Sequence, residues 1–518
     1  MMKLAKLLIL AIVAAMFSQP PAIIGAGSWQ VDQVVQKKAR KKDDVQRPAG
    51  RRLAAALPPE VAALQSLSVV MGRPTDREIT FNVLAADALD LFIEYGTKSS
   101  LYDQHSKTIG VSSGVPVEIT LQGLKHDTGY VYRLKSRKAS TSDFVAGEEY
   151  HFRTQRAPGS TFTFDIQGDS HPERPQQFDA ALYAQTLRAA AADQPDFYMT
   201  IGDDFSVDAL RDVPPEAVAG IYRNQRLFLS LVGRTAPIFL VNGNHEQAAR
   251  ANLDGTANNV AVWAQTNRNR FFPQPAPDAF YSGDSEPIQF IGPLRDYYAW
   301  TWGDALFVVI DFYWHSSVPV DNVFGGGAKT NDRWAISLGE GQYRWLKQTL
   351  EQSRAKYKFV FSHHVLGTGR GGIEQAAFYE WGGRDRNGTD QFNLKRSGWG
   401  LPIHSLFVKS GVTIFFQGHD HIFVRQQLDG VIYQELPEPA DPNYALINGE
   451  AYLSGDAFPN SGRVRVTVSP EKVGVDYIRS YLPKDATSEH TDGKVTFHYE
   501  LPAPGHLKDP DNSEHSGF

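Results

Sequence analysis

Between residues 67 and 154, apolar positions recur at every second residue: Ile79, Phe81 and Val83, then Leu91, Ile93 and Tyr95, then Val117, Ile119 and Leu121, then Tyr130, Tyr132 and Leu134. Successive side chains of a strand point to opposite faces, so this alternation predicts half-buried strands, and the Gly, Pro, Asp and Ser clusters between the runs supply turns. A small all-β sandwich is therefore expected over 63–156. After "RAPGS" the rhythm changes. Continuous apolar runs such as "FTFDIQ", "DFYMTI", "APIFLV", "KFVFS" and "VTIFFQ" now alternate with helical stretches, among them "QQFDAALYAQTLRAAAADQ" and "GQYRWLKQTLEQSRAKY". Strands buried on both faces lose their alternation, so this arrangement predicts an α/β domain over 160–480. Near its end, "RVRVTVSPEKVGVDYI" predicts two more strands. A C-terminal extension, 481–518, follows and is polar and loose from Pro502 onward.

The N-terminus reads "MMKLAKLLILAIVAAMF", with Lys3 and Lys6 before a short apolar stretch and with Gly25, Ala26 and Gly27 after it. A charged start, a brief apolar middle and small residues describe a secretory signal over 1–27; an uncleaved anchor is the alternative. The protein is thus expected to be secreted or periplasmic, with no transmembrane span once the signal is removed. A polar basic linker, 28–62, contains "QKKARKKDDVQRPAGRR" and lacks apolar periodicity. At 518 residues the chain exceeds one ordinary core. Its formal net charge of -6 provides no general basic surface, so nucleic-acid-specific binding is not expected. A small anionic substrate at a local cationic site remains open. The oligomeric state is not encoded in any feature of the sequence.

The chain contains no cysteine. Disulfides, thiolate nucleophiles and sulfur ligands are absent together, and any metal must be held by oxygen and imidazole nitrogen. Five of the apolar runs end in such donors. "FTFDIQ" precedes Gly168-Asp169-Ser170-His171, "DFYMTI" precedes Gly202-Asp203-Asp204, and "APIFLV" precedes Asn242-Gly243-Asn244-His245-Glu246. "KFVFS" ends at His363-His364 and "VTIFFQ" at Gly418-His419-Asp420-His421. Ligands of open α/β sheets gather where loops leave the carboxyl ends of strands. Each block alone has a plainer reading, since Gly-Asp is a common turn and "GNHE" suits a left-handed loop. Together they supply more donors than one four-coordinate ion takes, which points to two divalent ions, Mn, Fe or Zn. Ions roughly 3.5–4 Å apart can share a hydroxide that is nucleophilic near neutral pH.

In this order the five blocks resemble the calcineurin-like metallophosphoesterases over 161–478, and the resemblance implies their four-layer α/β/β/α sandwich. "LKHDTGYVYRL" in the preceding domain resembles the tyrosine corner of fibronectin type III-like domains, and that domain is similar to the front domain of purple acid phosphatases. The resemblance assigns Asp169, His171 and His421 to one metal and Asn244, His363 and His419 to the other, with Asp203 bridging. It also makes His245 a contact to a phosphoryl oxygen or the leaving group. His364 is the alternative to His363. Purple acid phosphatases carry Asp-x-Gly in the first block and a tyrosine three residues after the second aspartate; this chain has His171 and Ser206 there, so a tyrosinate–iron site is not expected. The implied activity is hydrolysis of phosphate monoesters by metal-bridging hydroxide attack on a small phosphorylated substrate. Two alternatives stand beside it: a phosphodiesterase for cyclic nucleotides or lipid head groups, and a non-catalytic extracellular binding or adhesion protein with structural metals.

Other residues carry weaker signals. Arg370, Arg384 and Arg396 lie in a glycine-rich stretch, 367–400, that reads as a long rim loop able to clamp a phosphate. "GTGRGG" within it matches a dinucleotide fingerprint, but the strand before it already delivers His363, so no nucleotide cofactor is expected. Asp311 and His315 follow "ALFVVI" at another strand end and are candidates to flank the substrate. His404, in "LPIHSLFV", fits a packing role on an amphipathic helix. "NGT" at Asn387 is a glycosylation acceptor only on a eukaryotic secretory route.

Overall fold

The computed structural model describes residues 56–504 apart from 139–140, 209, 211–213, 323–329 and 367–368. The expected signal peptide, most of the basic linker, the tail 505–518 and the first two residues of "GTGRGG" lie outside the described residues.

The alternating segment forms two antiparallel sheets. Leu67–Gly72, Ile79–Ala85 and Val117–Leu121 make one, and Leu89–Gly96 paired with Gly129–Lys138 is the centre of the other. Their inward residues, Phe81 and Val83 against Ile93, Tyr132 and Leu134, share one core. The Lys125 N–H donates to the Tyr130 hydroxyl at 2.9 Å, which ties the strand back to the loop before it, as a tyrosine corner does.

The second region has two sheets packed face to face with helices outside each, a four-layer α/β/β/α arrangement. The six-stranded sheet runs in the order Ile238–Leu240, Phe197–Thr200, Phe162–Gln167, Gly462–Val468, Lys472–Arg479 and Val495–Pro502. Its first three strands are parallel. In the eight-stranded sheet, Ala305–Val309, Tyr357–Phe361, Ile414–Gln417 and Val431–Glu435 form the parallel centre. Phenylalanines fill the space between the sheets: Phe164 meets Phe307 edge-on at 5.3 Å, and Phe361 stacks on Phe416 at 5.0 Å. Because both faces of these strands are covered, no polar alternation survives. Helices Ala180–Ala192, Pro215–Gly233 and Val260–Phe271 cover the outer face of the first sheet, and Gly339–Gln352 and Ile403–Ser410 that of the second.

The segment expected as an extension over 481–518 contains a strand. Val495–Pro502 pairs antiparallel with Lys472–Arg479 and forms the sheet edge. Arg226, fully buried on helix Pro215–Gly233, joins the β-rich region to the α/β region. Its guanidinium donates to Ser68 Oγ at 3.0 Å, to the Asn82 carbonyl at 2.6 Å and to the Phe271 carbonyl. Burial brings its pKa down to about 9.

Candidate metal centre

The five strand-end blocks meet at one rim of the two packed sheets. Asp169, His171, Asp203, Asn244, His363, His419 and His421 are all buried there. Ligand atoms of Asp169, His171 and His421 lie within 4.8 Å of one another, as do those of Asp203, His363 and His419. Asn244 Oδ1 joins the second group, 3.0 Å from His363 Nε2 and 3.1 Å from His419 Nδ1. His421 Nε2 is 3.2 Å from Asp169 Oδ2. Asp203 Oδ2 stands between the groups, 3.1 Å from His363 Nε2 and 3.6 Å from His171 Nε2.

Local sequence explains how the loops come so close. A Cβ on Gly418 would stand 2.5 Å from Asp169 Oδ1 and 2.5 Å from Ile201 Cγ2; on Gly243 it would stand 2.2 Å from Asp203 Oδ1. Only glycine admits these approaches. Glu246, missed as a functional residue by the sequence reading, clamps two blocks together. Its carboxylate accepts from the N–H groups of Gly243 at 2.7 Å, Asp204 at 2.8 Å, and Asp203 and Phe205 at 3.1 Å each. Burial, and then the charge of Asp203, push this carboxyl up to about 7.

The imidazoles are oriented from behind. The His363 Nδ1–H donates to the Ile201 carbonyl at 2.9 Å and His171 Nδ1 lies 2.8 Å from Glu173 Oε1, while His421 Nδ1 lies 3.0 Å from Glu438 Oε2 as an ion pair without hydrogen-bond alignment. An acceptor on one ring nitrogen fixes the tautomer that turns the other nitrogen's lone pair outward, which is how metal-binding histidines are held. Glu173 and Glu438 are a second pair that sequence spacing did not reveal. Ser206 Oγ is 3.3 Å from His171 Nδ1, in the place considered for a tyrosinate.

The donor set fits metal ions. The Asn244 amide is oriented by donation from Nδ2 to the Asp321 carbonyl at 3.1 Å, so its Oδ1 rather than its Nδ2 faces His363 Nε2 and His419 Nδ1. Among the described residues, His171 Nε2 and Asp203 Oδ2 are buried without a hydrogen-bond partner. Buried polar atoms in that state need a counterpart. Burial acts to raise the Asp169 and Asp203 pKa values, but neighbouring imidazoles, His363 foremost in both cases, outweigh it and hold them well below the usual carboxylate range. Burial acts to lower the His363 pKa, yet the carboxylates of Asp203 and Asp169 push it up to about 10. The rim therefore draws positive charge.

His245 stands beside these groups, with Nε2 3.9 Å from Asp203 Oδ2 and 2.8 Å from an Arg174 guanidinium nitrogen. Its Nδ1 is 2.6 Å from Asp208 Oδ2. Arg174 and Asp208 had no sequence signal beyond their nearness to the first two blocks. His364 is buried, with Nε2 3.5 Å from the Tyr313 hydroxyl and its ring 4.8 Å from that of His419, and burial, then the charge of His363, bring its pKa down to about 3. Arg370 reaches the rim and donates to the His419 carbonyl and to Asp420 Oδ1, both at 2.8 Å. Asp420 itself turns away to Arg370, Gly371 N–H and the Tyr452 hydroxyl. The other two arginines are not brought to the cluster: Arg384 is exposed, and Arg396 is committed to Glu380 and the Trp334 carbonyl. Asp311 accepts from Asn242 Nδ2 at 2.8 Å, while His315 lies 2.8 Å from Asp296. His404 packs between the Tyr433 hydroxyl and Asp429.

The model of the calcineurin-like phosphoesterase family matches residues 162–423. No curated protein matches the chain. Among solved structures, the purple acid phosphatase PPD1 from yellow lupin (Lupinus luteus) seeds is similar over 85% of this chain and 74% of its own, at 16% identity and a TM-score of 0.54. PhoD is similar over 84% of this chain and 92% of its own, at 14% identity and a TM-score of 0.57. At such identities the likeness is one of fold.

Proposed function

The chain belongs to the calcineurin-like phosphoesterases, metal-dependent hydrolases of phosphoric esters, and on that premise we propose that it is an exported hydrolase of phosphate monoesters with two divalent ions. The observation that carries this reading is the position of Asp203 Oδ2 between two imidazole-bearing groups. Asp169, His171 and His421 would hold one ion, and Asn244, His363 and His419 the other, with Asp203 serving both. The all-oxygen-and-imidazole donor set suits Mn, Fe or Zn. When bound, the ions supply Lewis acidity toward a phosphoryl oxygen and a water acidic enough to be a nucleophile near neutral pH.

The chain's own residues do the rest. Asp208 Oδ2 lies 2.6 Å from His245 Nδ1, an ion-pair contact without hydrogen-bond alignment, and Nε2 on the other side of the ring lies 3.9 Å from Asp203 Oδ2. In this arrangement Nε2 accepts from Arg174 at 2.8 Å, so donation from His245 to the departing ester oxygen would require Nε2 to exchange that contact and carry the proton itself. Arg174 and Arg370 stand on the same rim with partly exposed side chains. A monoester dianion carries more negative charge than a diester monoanion, and guanidinium nitrogens of Arg174 and Arg370 that are not engaged by Glu173 and Asp420 would favour the monoester. The order of charged, apolar and small residues over 1–27 supports export.

Turnover of p-nitrophenyl phosphate and bis-p-nitrophenyl phosphate, with and without added Mn or Zn, tests the proposal. Metal-stimulated hydrolysis of the monoester is expected to exceed that of the diester. The reverse preference moves the substrate class to diesters, and no hydrolysis of either by metal-loaded protein favours a binding protein.

A further inference from the structure

A second group of metal-type donors lies apart from this centre. Asp284 follows the edge strand Ser282–Gly283, Asp296 precedes Tyr298–Trp302, and His315 comes after Ala305–Val309. These three strands are neighbours in the eight-stranded sheet, so residues scattered in sequence arrive at one end of it. One ligand atom from each lies within 4.8 Å of the others. His315 Nε2 is 2.8 Å from Asp296 Oδ2 and 4.0 Å from Asp284 Oδ2.

We propose that Asp284, Asp296 and His315 form a third divalent-cation site, for Zn2+ or a similar ion, that braces the loop carrying Asn244. Three observations converge on it. Asp284 is 2% exposed and Asp296 0%, yet Asp284 Oδ2 and Asp296 Oδ1 have no hydrogen-bond partner. Among the described residues, His315 is the only basic side chain within ion-pair distance of either carboxylate. Two buried carboxylates against one imidazole leave negative charge without a counterpart, which a divalent ion supplies. Carboxylate and imidazole donors without sulfur suit zinc, and three protein ligands leave a position for water. His315, its side chain 15% exposed, provides the way in. The connection to the catalytic rim runs through Asp311, four residues before His315, which accepts from Asn242 two residues before Asn244.

The competing arrangement is a protonated His315 with a proton shared between the carboxylates, and it binds no ion. Purified full-length protein is equilibrated with zinc, freed of excess by gel filtration, and its zinc counted per chain. Asp284→Asn and His315→Gln are each expected to retain one ion fewer than wild type, while Asp203→Asn loses ions from the other centre and keeps this one. Equal counts in wild type and both variants overturn the site, as does a rise in Tm of Asp284→Asn that is the same with and without zinc. Should both variants fail to fold, modification of wild-type His315 by diethyl pyrocarbonate, read by mass spectrometry, decides. Zinc is expected to slow it about tenfold, and an unchanged rate overturns the proposal.

Discussion

Replacing Glu246 separates the clamp from the chemistry. The carboxylate accepts four backbone N–H groups, two on each oxygen: Asp204 and Phe205 on Oε1, Asp203 and Gly243 on Oε2. In Glu246→Gln one oxygen survives and the amide turns its own donors toward two of the N–H groups, whereas Glu246→Ala leaves all four without a partner. A buried donor left unpaired costs roughly 1–3 kcal/mol, and water entering the space puts these at the lower end. The change to Gln then costs about 2 kcal/mol and that to Ala about 4 kcal/mol. At about 2 °C per kcal/mol for a large domain, Tm falls by about 4 °C and about 8 °C. Because the clamped N–H groups belong to the blocks that present Asp203 and Asn244, metal per chain is expected to fall in the same order. Differential scanning calorimetry and metal analysis on one preparation read both quantities. A Gln variant that melts within about 1 °C of wild type and keeps its full metal would show that the clamp does not position the loops.

Asp203→Asn is expected to lose metal from both groups and all turnover, measured by metal analysis beside hydrolysis of p-nitrophenyl phosphate. His245→Ala is expected to keep its metal while kcat falls by about 10²–10⁴; metal loss equal to that of Asp203→Asn would refute the separate role. Gly418→Ala places a methyl 2.5 Å from Asp169 Oδ1 and is expected to displace that carboxylate and abolish activity with little change in helix content by circular dichroism. Tyr130→Phe frees the Lys125 N–H and is expected to cost about 1 kcal/mol of stability, seen in thermal melts, with kcat unchanged.

The convergence of five loops was legible because each apolar run stops at a donor: Gln167 before Asp169, Ile201 before Asp203, Ser362 before His363. Strand ends of a parallel sheet share one rim, so a linear pattern becomes a spatial one. What supports those donors was not legible. Glu438 backs His421 across a loop, and Glu173 backs His171 only because the backbone turns back at once. No spacing rule covers either contact. Arg396 shows the opposite failure, since a basic residue in a glycine-rich stretch reads as a rim cation but its guanidinium is held among Glu380, Trp334 and Trp399. The strand Val495–Pro502 did carry a signal, with Val495, Phe497, Tyr499 and Leu501 alternating with Thr496, His498 and Glu500. An edge strand half open to water is polar enough to be set in an extension outside the domain rather than assigned to its sheet.

The backbone of the catalytic rim bears on the metal question independently of the side-chain distances. His171, Asp203, His419 and His421 have φ of 43°, 59°, 78° and 67°. A non-glycine residue in the left-handed region costs on the order of 1–3 kcal/mol, so the four together cost at least about 4 kcal/mol. Left-handed residues occur elsewhere in this chain, exposed at Gln194 and Asp429 and buried at Gln247, Leu366 and Tyr379, so burial alone does not set the rim apart. At the rim the same conformation coincides with burial, and in His171 and Asp203 with a side-chain atom that has no hydrogen-bond partner. Hydrogen bonds through those atoms therefore do not offset the strain. An interaction that requires those very atoms would, and a divalent cation held by His171 and Asp203, whose Nε2 and Oδ2 lie 3.6 Å apart, would be of that kind.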